Sequence, residues 1–172
     1  MKLLLPLAFV ALTAPVFAWA GPQYLDETKF AVSGHDVVAY FDMEQSPVGT
    51  PQSPAVNGKT SITADYNGAT WAFSTEENRD KFIANPAAYV PQYDGHCAYG
   101  VAQQGKVPGN PNLWRIVDGK LYLNVTQDVV GFWEEDISGN LQKSEGNWPK
   151  LEPKAASDRT IPFYSSQAPV AD

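Results

Sequence analysis

The chain has 172 residues and a formal charge of −7, with 19 acidic against 12 basic side chains. That balance argues against nucleic acid and anionic lipid as partners, since both are repelled by an acidic surface. A single cysteine and only two methionines exclude a disulfide scaffold and a methionine-rich copper carrier. The fold therefore has to rest on aromatic side chains, with Trp71, Phe73, Phe82, Trp114, Phe132, Trp133 and Trp148 the expected core.

Residues 1–20 read as a signal peptide: Lys2, an apolar run from Leu3 to Phe17, then small residues at Ala18 and Ala20. Cleavage is expected before Gly21, with cleavage after Ala18 the alternative. The run is shorter than the ~20 residues of a bilayer span, Pro6 and Pro15 interrupt it, and no cysteine follows it to carry a lipid. The expectation is a periplasmic protein, exported, with no membrane span. Next, Val37 to Phe41 is apolar and reads as a buried strand, while Met43 to Gly58 is rich in Pro, Gly, Ser and Gln and reads as a surface loop. From Thr60 to Ser74 two β-favouring runs flank Asn67-Gly68, the signature of a two-residue hairpin turn. Ser74 with Glu77 predicts a capping box, Phe82 and Ile83 the buried face of the helix, and Asn85-Pro86 its end. A second hairpin is predicted at Trp114–Leu123 around Asp118-Gly119. Asn124 or Thr126 caps a helix carrying Val129, Val130, Phe132 and Trp133, which Gly139 breaks, and a short helix runs from Asn140 to Trp148 before Pro149. Residues 152–172 lack apolar periodicity and read as a disordered tail. The hairpins look unlike each other, so no internal repeat is expected. Together the elements predict a single α+β domain over residues 21–151, with small antiparallel β hairpins packed with short helices.

Three stretches, Gly34-His35-Asp36-Val37-Val38-Ala39-Tyr40-Phe41, Tyr66 to Tyr89 and Tyr93-Asp94-Gly95-His96-Cys97-Ala98-Tyr99-Gly100-Val101-Ala102, together resemble a YHS-domain protein of the exported bacterial kind. That family is related to heavy-metal-binding modules of the TRASH type. The resemblance implies a YHS-like fold over most of the chain. It also implies that the positions where related modules carry metal-binding cysteines are here Ser74 and Asn78, neither of them a thiolate.

The side chains left for chemistry are Cys97, His35 and His96, the one thiol and both imidazoles of the chain. Thiolate and imidazole select soft and borderline ions, so the expected function is binding of copper or zinc without turnover. Cys97 and His35 are expected to share one ion, with His96 a further ligand and Asp36, Asp94, Tyr40, Tyr93 and Tyr99 lining the site. A plainer account stands beside this one. Cys97 opens a run of small residues fit for a packed helix start, where a free cysteine is a small hydrophobe, and His35 follows a turn glycine. Two further functions remain open: a thiol enzyme in which Cys97 at a helix N-terminus is paired with a histidine base, and a module that binds another exported protein. No CxxCH or Gly-rich phosphate loop occurs, so neither haem nor nucleotide is expected.

Overall fold

A computed structural model describes residues 21–172; the expected signal peptide lies outside them. In chain order the elements are β1 (Lys59–Tyr66), β2 (Ala69–Phe73), α1 (Glu76–Ala84), α2 (Ala98–Ala102), β3 (Asn110–Val117), β4 (Lys120–Asn124), α3 (Gln127–Glu134) and α4 (Ile137–Leu151). The strands form two separate two-stranded antiparallel sheets, β1 with β2 and β3 with β4. This is the α+β class that the sequence predicts.

Both hairpins turn where expected. Asn67 and Gly68 have φ of 51° and 71°, and Asp118 and Gly119 have 50° and 72°, the paired positive values that the right-handed strand twist favours. The apolar segment after His35 is buried as expected but is not a strand. Asp36 Oδ1 accepts from the backbone N–H groups of Val38 (3.0 Å) and Ala39 (3.2 Å), which curls the chain into a 3-10 turn at Ala39–Asp42. The cap of α1 is Thr75, one residue later than expected, and accepts from Asn78 N. Glu77 pairs instead with Lys81 Nζ at 2.9 Å. Ile83 and Phe132 are 59% and 52% exposed, so Phe82 alone seals α1 and Trp133 alone seals α3. Gly139 lies in the first turn of α4, its N–H bonded to the capping Asp136 carboxylate. Pro149 sits within α4 and does not end it.

Two cores result. One gathers Trp71, Phe73 and Phe82 with Trp114, Leu121 and Leu123, and the other gathers Tyr93, Ala98, Val101, Tyr122, Trp133 and Leu151. Strand alternation lets β4 serve both: Leu121 and Leu123 point one way and Tyr122 the other. Ring centroids of Trp71 and Phe73 lie 5.2 and 5.1 Å from Phe82, and such pairs add ~0.5–1.5 kcal/mol each beyond their buried area.

Contrary to the sequence expectation, the molecule is built from one unit used twice. The units correspond at a constant offset: Lys59 with Asn110, Thr63 with Trp114, Phe73 with Asn124, Thr75 with Thr126, and Phe82 with Trp133. Both hairpins skip register at the same place, between Lys59 and Thr63 and between Asn110 and Trp114. Thr75 and Thr126 cap the following helices with the same φ of −139°. Ahead of each hairpin, the backbone N–H of Asp36 donates to Val56 O and that of Cys97 to Val107 O, both at 2.9 Å. Gly58 N likewise donates to Gly34 O, and Gly109 N to Gly95 O.

Residues 153–172 add no helix or strand, yet they lie against the domain. Val170 bridges to Lys59, Ser166 Oγ donates to Ser33 O at 2.8 Å, Tyr24 Oη donates to Arg159 O at 3.0 Å, and Ile161 and Ala168 are buried. Single apolar anchors and backbone pairing hold this segment, neither of which leaves a periodic pattern in sequence.

Candidate functional site: two histidine turns and one open cleft

Each unit begins with a left-handed turn. Val32, Ser33 and Gly34 have φ of 50°, 52° and 80°, and Tyr93, Asp94 and Gly95 have 58°, 52° and 77°. Left-handed backbone costs roughly 1–2 kcal/mol for each non-glycine residue, and such strain persists only where surrounding structure enforces it. Glycine at the third position also admits a close neighbour. A Cβ on Gly34 would collide with Pro169, and one on Gly95 would lie 2.6 Å from Gln23 Nε2. Each turn delivers a histidine in one fixed pose: His35 Nδ1 is 3.0 Å from Val32 O and His96 Nδ1 is 2.9 Å from Tyr93 O. A carbonyl can only accept, so Nδ1 carries the proton in both rings and the lone pair of the neutral imidazole lies on Nε2. Burial lowers the pKa of both, that of His96 to about 4.

The next residue anchors the unit. Asp36 is fully buried. Besides the two backbone donors of its own turn, its Oδ2 accepts from Ser74 N (2.8 Å), Ser74 Oγ (2.6 Å) and Asn78 Nδ2 (2.7 Å). Ser74 and Asn78 thus do converge, but on a carboxylate that they saturate with hydrogen bonds. Cys97 is the counterpart of Asp36: its Sγ accepts from Gly100 N at 3.3 Å and donates to Asn124 Oδ1 at 3.4 Å. Although Cys97 caps α2, burial outweighs its backbone N–H partners and pushes the thiol up to about 11. A thiol at that value is almost wholly protonated at neutral pH and a poor nucleophile, and a metal ion would have to displace its proton to bind it.

The histidines diverge in what meets Nε2. His96 is sealed: Ser157 N donates to its Nε2 at 3.1 Å, and Tyr24 and Trp148 stand against the ring. His35 Nε2 has no partner among the described residues, and it is not among the unpaired polar atoms closed off from solvent. His35 lines a cleft of about 500 Å³, with Asn57, Asn112, Tyr164, Ser165 and Gln167 as its other polar lining and residues 54–56 as an apolar border. Asn112 Oδ1 is engaged by Ala55 N. The Asn112 amide nitrogen and the side-chain amides of Asn57 and Gln167 have no partner among the described residues. Volumes of this order are ordinary for small-ligand sites.

The three expected metal ligands are not gathered into one group of donors among the described residues. His35, His96 and Cys97 belong to equivalent positions of different units or point into different surroundings, and among the described residues no group of three His, Cys, Asp or Glu side chains is placed to hold an ion. His96 and Cys97 part as sequence neighbours do: the imidazole meets Ser157 and Trp148, the thiol meets Asn124. Asp36, Asp94, Tyr40, Tyr93 and Tyr99 are not among the residues that line the cleft with His35. A three-donor site for copper or zinc is thus not found among the described residues. Sequence reasoning missed the polar lining of the cleft, whose members come from the loop before β1, from β3 and from the terminal segment. Gly-His at residues 34–35 and again at 95–96, with the turn dipeptides Asn67-Gly68 and Asp118-Gly119, was a local signal of equivalence. No helix of the described residues is long and apolar enough to cross a membrane. In comparisons with known proteins, the chain matches no family model, no curated protein and no solved structure.

Proposed function

We propose that the chain is an exported, YHS-like binding module that acts without turnover and receives its ligand in the cleft beside His35. One observation carries this reading: two imidazoles are fixed by the same strained turn, and one is closed at Nε2 by the chain's own backbone while the other has no Nε2 partner among the described residues and belongs to a residue that lines a cleft. A neutral imidazole that opens on uncharged amides suits a ligand offering hydrogen-bond donors. The thiol-enzyme reading has little behind it, since Cys97 is buried and protonated. The metal reading has no converged set of three donors among the described residues.

The test is a titration of the protein, followed by backbone amide resonances, with N-methylacetamide as a minimal donor and with Zn²⁺ and Cu⁺ in parallel. Saturable shifts at Asn57, Asn112 and Gln167 with N-methylacetamide are expected, together with no stoichiometric metal site and no alkylation of Cys97 until the protein unfolds. Stoichiometric binding of either ion that Cys97→Ser abolishes would restore the metal reading. A cleft that N-methylacetamide leaves unperturbed overturns the present one.

A further inference from the structure

We propose that the His35 cleft takes an extended, uncharged stretch of polypeptide, one backbone N–H of which donates to His35 Nε2. The inference rests on the binding-module reading and adds the chemical class of the ligand. Its warrant is internal. His35 and His96 occupy the same position of a repeated unit, with the same Nδ1-to-carbonyl bond at 3.0 and 2.9 Å, and each pairs across from the residue that precedes a glycine, Asn57 before Gly58 and Pro108 before Gly109. At His96 the Nε2 lone pair is met by a main-chain N–H, that of Ser157, from a segment without helix or strand. The molecule thus contains one filled copy of the arrangement, and the group that fills it is a peptide amide.

The lining of the open copy fits the same ligand. Its polar groups are the side-chain amides of Asn57, Asn112 and Gln167, the hydroxyls of Tyr164 and Ser165, and the His35 ring. No Lys, Arg, Asp or Glu is among them, so a charged ligand would lose hydration without gaining a counter-charge. Carboxamides present the donor and acceptor geometry of the peptide group itself and can pair with successive N–H and C=O groups of an extended chain. Close by, the terminal segment already lies against the same loop as a paired stretch of backbone: Val170 N donates to Gly58 O and Thr60 N to Val170 O, at 2.9 and 3.0 Å.

The probe is the blocked tetrapeptide acetyl-Ala-Ala-Ser-Ala-amide, which repeats residues 155–157 without the following charge, used on the full chain. Beside it runs the same peptide methylated on the serine nitrogen, which removes only the donor. The unmodified peptide should shift the amides of Asn57, Asn112 and Gln167 saturably and move the His35 Nε2 nitrogen resonance. The methylated peptide should bind at least tenfold more weakly. His35→Phe should abolish the effect, and the methylated peptide supplies the same comparison on wild-type protein should that variant misfold. Equal binding of both peptides overturns the proposal, as do shifts confined to Ser157 and His96, which would mean displacement of the internal segment. If N-methylacetamide perturbs the cleft and the tetrapeptide does not, the peptide assignment fails and the cleft remains a ligand site. If neither does, both fail.

Discussion

At the scale of single residues, the second left-handed turn holds two titrating groups that oppose each other. Burial lowers His96 to about 4, so as pH falls the unfolded chain, titrating near the usual ~6.5, takes up the proton first. The contribution of His96 to stability is full above that value and is lost as pH falls towards 4. Asp94 behaves in the reverse sense. Burial foremost, and Glu152 with it, raise its carboxyl to about 6 from 3.8 against the pull of Lys106. Its contribution is present below 3.8 and is lost as pH rises to 6. The windows overlap, and the two dependences offset each other between pH 4 and 6. Asp94→Asn should expose the histidine dependence, making the variant lose more stability than wild type between pH 6.5 and 4.5, by on the order of 2 kcal/mol. Urea unfolding at the two pH values measures this. Identical pH slopes in both proteins would refute the coupling.

Among the secondary elements, the junction of β2 with α1 divides two tasks between neighbouring residues. Thr75 caps the helix, and Ser74 ties the strand end to Asp36 through both its N–H and its hydroxyl. Thr75→Ala should cost about 1 kcal/mol as an ordinary lost cap. Ser74→Ala should cost ~1–3 kcal/mol, because it removes a donor from a buried carboxylate. The two losses differ in their dependence on Asp36. In an Asp36→Ala background the Ser74→Ala cost should nearly vanish while the Thr75→Ala cost persists, a distinction that thermal or urea unfolding of the double variants resolves. An undiminished Ser74→Ala cost in that background would show that the hydroxyl acts elsewhere.

For the whole molecule, the terminal segment links the two units by closing one histidine and bordering the cleft of the other. Ser157 fills His96 Nε2, and Tyr164 stands beside His35 with ring centroids 6.4 Å apart. Ending the chain after Glu152 should open the His96 ring to water and remove its backbone donor. The main cause of its lowered pKa is burial, so in the truncated protein His96 should titrate higher by about one pH unit or more, towards ~6.5. Imidazole proton resonances followed against pH report this directly, and an unchanged His96 titration would mean that the segment does not cover the ring in solution.

Local chemistry determined the hairpins and helix starts. Asn67-Gly68 and Asp118-Gly119 accept positive φ at two successive positions, and threonine before an acidic or amide-bearing turn caps a helix, so these features were legible in the chain and lie within a residue of where it puts them. The aromatic core was equally legible at Trp71, Phe73 and Phe82, but not at Phe132, because helical spacing near Trp133 does not say which of two adjacent rings faces inward. What only the tertiary structure decided depends on partners far apart in sequence. Asp36 and Cys97 differ chemically yet hold the same position, since backbone bonds to Val56 and Val107 set their place and side-chain identity does not. Cys97 and the histidines looked like one donor set because they are the chain's one thiol and both imidazoles and sit in the two motifs that flank the first hairpin and helix, but their side chains meet different partners in the fold. That His96 and not His35 has its Nε2 paired among the described residues was settled by Ser157, whose N–H reaches His96 through a loop closure that no local pattern records.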